Sequence, residues 1–113
     1  MIDPNYVVCD LCRDWNGTSD YDEVRKFVKT HVDENIENYQ KLMKTKSGFL
    51  AILNEIMTYT QGNRYSIGIA MGSALRDELI QRGLLPRYGG SCWINHLSSP
   101  RDVWSRWSKF IEE

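Results

Sequence analysis

Cys9 and Cys12 stand two residues apart, the separation at which two thiolates reach one tetrahedral ion, and Cys92-x-x-x-His96 offers a thiol and an imidazole to complete the set. Bound together, Cys9, Cys12, Cys92 and His96 would hold a zinc ion and pin the N-terminal segment to a stretch about eighty residues later. The separation between the two halves follows no zinc-binding pattern, and a simpler account competes: Cys9 and Cys12 are small half-buried apolar residues, and His96 closes a hairpin. Redox use of Cys9-x-x-Cys12 calls for a strand-helix-strand context that the neighbouring sequence lacks. A total of three cysteines, an odd number, argues against a secreted disulfide framework and for a reducing compartment.

Nucleophilic chemistry finds little else. Gly90-Ser91-Cys92-Trp93 is similar to the tetrapeptide around the nucleophile of papain-like proteases. That chemistry needs a histidine and an asparagine far downstream, whereas only 21 residues follow Cys92 and their one histidine, His96, is four residues away. The likeness is therefore read as chance. No serine-histidine-aspartate set, phosphate-binding glycine loop or His-Glu-x-x-His pattern occurs. His31 falls on an apolar helical stripe, where a hydrogen-bonded structural histidine is expected. Asp20, Asp22 and Glu23 gather at a helix start and need no role beyond the helix dipole.

Charge points to binding before it points to reaction. Residues 1–63 carry seven Lys/Arg against ten Asp/Glu, whereas residues 64–109 carry seven against three, and six of those seven cations are arginine. Arginine makes forked contacts to phosphate and carboxylate, so the second half is the half that could face an anion. On a helix beginning at Ser73, Arg76 would be placed to read base edges, with Arg82 and Arg87 on phosphates. Asp77 and Glu78 lie beside Arg76 and oppose a polyanion, so contact with a protein fits the charge better.

These residues need elements to carry them. At 113 residues, 42% hydrophobic and 12% aromatic, the chain suits one folded domain, able to bury roughly two thirds of its extended surface without disulfides. Residues 1–18 read as an irregular segment. A long helix over 19–44 is expected from the Asp20-x-x-Glu23 capping box and from Val24, Phe27, Val28, His31, Val32, Ile36, Tyr39, Leu42 and Met43 at helical spacing. A second helix from Ser47 to about Tyr59, apolar over most of its circumference, is the central core helix. Ser66 to Arg82 forms a third, stopped by Gly83. Gly68 and Gly72 inside it each cost about 1 kcal/mol relative to alanine. Two explanations compete: close packing against a neighbour, or a break near Gly72-Ser73 that makes a helix-turn-helix. Leu84–Tyr88 and Ser91–Asn95 flank Gly89-Gly90 as a hairpin. Ser99 and Pro100 start a C-terminal helix over 99–112, with Val103, Trp104, Trp107, Phe110 and Ile111 on one face.

The expected fold is mainly α, four to five helices with one short β-hairpin, in a winged-helix-like order over 47–97 between the long helix and the C-terminal helix. The expected function is a non-enzymatic small binding protein, a regulator or inhibitor that occupies a surface of a larger protein through Arg76, Arg82, Arg87, Tyr88 and Trp93. Trp104 and Trp107 are assigned to packing. The alternative is a winged-helix regulator bound to duplex DNA, and homodimerisation through the long helix is a further expectation to test. No apolar run approaches the 18 or so residues that cross a bilayer, and Met1-Ile2-Asp3-Pro4 has no signal character, so a cytoplasmic protein without membrane contact is expected.

Overall fold

Helix α1 (Val7–Asp14) replaces the irregular segment expected at the N-terminus. The computed structural model describes residues 2–17, 20–62, 66–85, 101 and 104–105, and among these it contains five α-helices, a π-helical turn and no strand. At eight residues α1 is too short to persist alone. It is anchored by Val7, Val8 and Leu11, all buried, and by Trp15 packed against Phe27 with ring centroids 5.1 Å apart. A turn in which the Tyr6 N–H donates to the Asp3 carbonyl leads into it.

The long helix expected over 19–44 is instead two helices, α2 (Tyr21–Glu34) and α3 (Ile36–Leu42). Asp20 caps α2 as anticipated, its carboxylate accepting from the Asp22 N–H at 2.9 Å. Val24, Val28 and Val32, four residues apart, form the buried stripe. The break falls at Asn35, whose φ of −120° and ψ of 23° leave the helical region. The Asn35 side-chain amide donates to the His31 carbonyl at 2.9 Å, which also accepts from the Asn35 backbone N–H at 3.1 Å. Residues 31 and 39 would lie about 12 Å apart along an unbroken helix. With the chain turned, the His31 and Tyr39 rings meet edge to face at 5.5 Å and His31 Nε2 lies 2.6 Å from the Tyr39 hydroxyl. The helix expected as a dimer seam is thus two shorter helices.

Helix α4 (Lys46–Met57) is the apolar centre, burying Phe49, Ile52, Leu53 and Ile56 completely. Its cap is Thr45, two residues before the expected Ser47, with the hydroxyl accepting from the Gly48 N–H at 3.1 Å. The helix widens into a π-helical turn over Thr58–Gly62, where the Thr60 hydroxyl donates to the Ile56 carbonyl at 2.8 Å.

Helix α5 (Ser66–Gln81) runs unbroken through Gly72, so the break that would have made a helix-turn-helix is absent and close packing explains the glycine. A Cβ at Gly72 would lie 3.0 Å from Thr60 Cγ2 and 3.4 Å from Tyr59 Cβ, which brings the helix backbone against the π turn. Met71, Ala74, Leu75 and Leu79 face the core. Gly83 ends the helix at φ 73°, as the sequence indicates. The Leu84 N–H then returns to the Leu79 carbonyl at 2.8 Å and the Gly83 N–H to Ile80 at 3.0 Å, the paired bonds of a Schellman stop.

Helices α1, α2, α4 and the π turn all pack on α5, and their apolar faces share one core. Trp104 joins it from the C-terminal segment, its ring 5.1 Å from that of Phe49, in keeping with the packing role assigned to it. Arg101, Trp104 and Ser105 are helical; the expected hairpin lies outside the described residues apart from Leu84 and Leu85, which form a bend. No helix among the described residues is long and apolar enough to cross a membrane.

Candidate functional site

Two clusters of ionisable side chains stand out, one at the junction of α1 with α4 and one along the seam of α2 and α5. At the junction, Glu55 projects from the central helix to the start of α1. Tyr6, at the N-cap position of α1, supplies no side-chain bond to the free amides of the first turn. Glu55 supplies it from 47 residues away: Oε2 accepts from the Val8 N–H and the Cys9 N–H, each at 3.1 Å. The residue is 9% exposed. Burial raises its pKa above the ordinary 4.5, outweighing the two backbone bonds that lower it, and Asp10 and Asp3 add to the rise.

Cys9, Cys12 and Tyr59 surround this carboxylate. Both cysteines are free thiols, half-buried, one helical turn apart on α1. Loss of hydration pushes the Cys12 thiol up to about 11, with Cys9 and Glu55 contributing in the same direction. Tyr59, in the π turn, is pushed up to about 12, first by burial and then by the hydrogen bond to the Cys9 side chain. A thiol attacks as its thiolate, so a raised thiol beside a carboxylate is a poor nucleophile at neutral pH. Glu55 is already committed to two backbone donors. What the arrangement does well is satisfy the end of α1 inside an apolar wall.

Along the other seam the groups are paired by charge. Arg82 Nη2 bonds Asp33 of α2 and reaches Glu78 Oε1 at 3.4 Å. The hydrogen bond to Arg82 is the main cause that holds the Asp33 carboxyl below its ordinary 3.8. The Tyr21 hydroxyl donates to Asp77 at 3.2 Å, and that bond, after burial and the Asp77 charge, raises the Tyr21 phenol. Between these two clasps opens a cleft of about 300 Å³ lined by Asp22, Arg25, Lys26, Lys29 and Glu78.

The residues expected to meet a partner divide accordingly. Arg76 is tied to its neighbour Asp77 at 3.2 Å with a side chain only 16% exposed, and Arg82 is held in its ion pairs at 23%. Both are structural clasps of α5 as well as surface cations. Arg87, Tyr88 and Trp93 lie outside the described residues, as do Cys92 and His96 of the expected zinc set. Cys9 and Cys12 lie on one face of α1; among the described residues no three His, Cys, Asp or Glu side chains are grouped to hold a metal ion.

His31 is the bonded structural residue that the sequence indicated, with its pKa lowered by burial. Glu55 belongs to no motif in the sequence. Its only signal in the sequence is a carboxylate inside the most apolar helix, opposite a segment that lacks a cap of its own. No protein-family model, curated protein or solved structure matches the chain.

Proposed function

We propose that this protein is a non-enzymatic binding protein, a small regulator or inhibitor that acts by occupying a surface of a larger partner protein. The observation that supports this most is the employment of its buried polar groups. Glu55 caps α1, His31 and Tyr39 brace the turn between α2 and α3, and the Cys12 thiol is raised to about 11. Among the described residues, Glu55, His31 and Tyr39 are thus engaged in holding helices together, and the Cys12 thiol is kept in its unreactive protonated form. Exposed cations of α2, Arg25, Lys26 and Lys29, line the seam with α5 and are open to a partner.

The test is capture from the native host followed by cross-linking mass spectrometry. A single partner, recovered in fixed proportion and cross-linked to this chain, supports the reading; a chain that is recovered alone refutes it. Duplex DNA binding, the alternative, is separated by titration at two salt concentrations, because phosphate contacts give an affinity that falls steeply with salt. Arg76 and Arg82 are committed to Asp77, Asp33 and Glu78, so neither is offered freely to a polyanion.

A further inference from the structure

Asp22, Arg25, Lys26 and Lys29 recur at the spacing of one helical face, and that face of α2 forms one wall of the cleft. The opposite wall is Glu78 of α5, whose side chain is only 7% exposed and is turned to Arg82. The clasps at each end, Tyr21 to Asp77 and Asp33 to Arg82, fix the two helices and keep the cleft open between them. The lining cations are unevenly used. Lys29 reaches Asp33 at 3.5 Å, Arg25 lies 5.8 Å over the Tyr21 ring, and Lys26 has no ion pair among the described residues. Arg82 is shared between Glu78 and Asp33, so the lining carries three cations, Arg25, Lys26 and Lys29, against two carboxylates, Asp22 and Glu78, an excess of one positive charge.

We propose that this α2–α5 cleft is the docking site for an acidic segment of a partner protein, with Arg25 and Lys26 as the principal contacts and Lys29 joining them by exchanging Asp33 for a partner carboxylate. It rests on the reading of the chain as a binding protein and names the chemistry of the surface it would use. The volume, about 300 Å³, is at the lower end of small-molecule sites, and the lining residues are charged, without the aromatic and aliphatic side chains that such ligands favour. A few carboxylate side chains fit both its size and its charge. A lining of mixed sign also selects: Asp22 repels an indiscriminate polyanion and admits a segment with its charges correctly spaced.

The experiment follows backbone amide shifts while a synthetic hexaglutamate peptide is added at low salt, with hexalysine as the control. Binding should move amides of residues 22–29 and 77–82 and should weaken as salt is added. The double reversal R25E/K26E changes two exposed side chains, so the amide spectrum of the unliganded protein should keep its dispersion while affinity for hexaglutamate falls at least about tenfold. The milder K26Q should lie between the two. The proposal is overturned if hexaglutamate moves no amide in the cleft, or if R25E/K26E binds it as the parent does. It is equally overturned if inorganic phosphate or duplex DNA occupies the cleft more tightly than the peptide. Such a failure leaves the capture experiment above unaffected, since that measurement makes no reference to the cleft.

Discussion

The junction of α1 with α4 and the seam of α2 with α5 each rest on a carboxylate, and they use it in opposite ways. Glu55 is buried and satisfied by two backbone N–H groups, and the loss of water raises its pKa. Asp33 is exposed and bonded to a guanidinium, which lowers its pKa. Backbone dipoles hold a helix end whether the carboxyl is ionised or not, because the carbonyl-type oxygen accepts in both forms. An ion pair works only when both partners are charged and fades as salt enters. One contact is therefore a fixed part of the fold, and the other is adjustable from outside.

The largest effect should come from Glu55→Ala. It strips the cap from α1 and leaves the Val8 and Cys9 amides without an acceptor, at a cost of about 2 kcal/mol in unfolding free energy, read as a lower urea midpoint. Amide exchange in residues 7–14 should accelerate more than in α4. An unchanged midpoint would mean that α1 does not need the carboxylate.

Glu55→Gln sharpens the same contrast, because the amide oxygen can accept both N–H bonds while the charge is gone. A carboxyl with a raised folded pKa contributes stability that is complete below its unfolded value, ordinarily 4.5, and is lost as pH rises through the folded value. The parent protein should therefore lose ground to E55Q as pH climbs above 4.5 and match it more nearly below. A gap that is constant with pH would refute the burial argument.

Gly72→Ala tests whether α5 truly abuts the π turn. Alanine restores about 1 kcal/mol of helix preference. Its Cβ, however, meets Thr60 Cγ2 at 3.0 Å, and Thr60 cannot turn aside without breaking its bond to the Ile56 carbonyl. A net loss of about 1 kcal/mol is expected, and a gain would show that the turn yields.

The difference between the two regions also explains what the sequence disclosed. Contacts built from periodicity were legible: the valine stripe of α2, the apolar wrap of α4, the glycine stop at Gly83 and the structural role of His31. Contacts made by one side chain reaching across the fold were not. Helix α1 has no local cap and starts on two β-branched valines, so it reads as irregular until Glu55 arrives from α4. The spacing of apolar residues passes straight through Asn35, where the backbone leaves the helical region and the side-chain amide bonds the His31 carbonyl. Arg76 and Arg82 fall on the open face of α5 by periodicity, and the carboxylates that occupy them come partly from their own helix and partly from Asp33, 49 residues away. The α2–α5 cleft is invisible for the same reason: its cations sit in the half of the chain with net negative charge, and only tertiary packing sets them opposite Glu78 of α5.

Asp33→Asn should have the smallest effect of the set, and its form matters more than its size. The carboxyl is solvent-exposed, so its attraction to Arg82 is screened by water and by salt. A lowered folded pKa means stability that is present above the ordinary value of 3.8 and is lost as pH falls through the folded value. Parent and D33N should therefore converge in acid and also in concentrated salt, while E55Q and its parent should differ in the same way at all salt concentrations. The same substitution frees Arg82 and Lys29 beside the cleft, which should tighten hexaglutamate if the cleft takes acidic segments. A D33N variant that loses stability equally at every pH and salt concentration would show that the seam depends on shape and not on charge, and the contrast between the two carboxylates would fall with it.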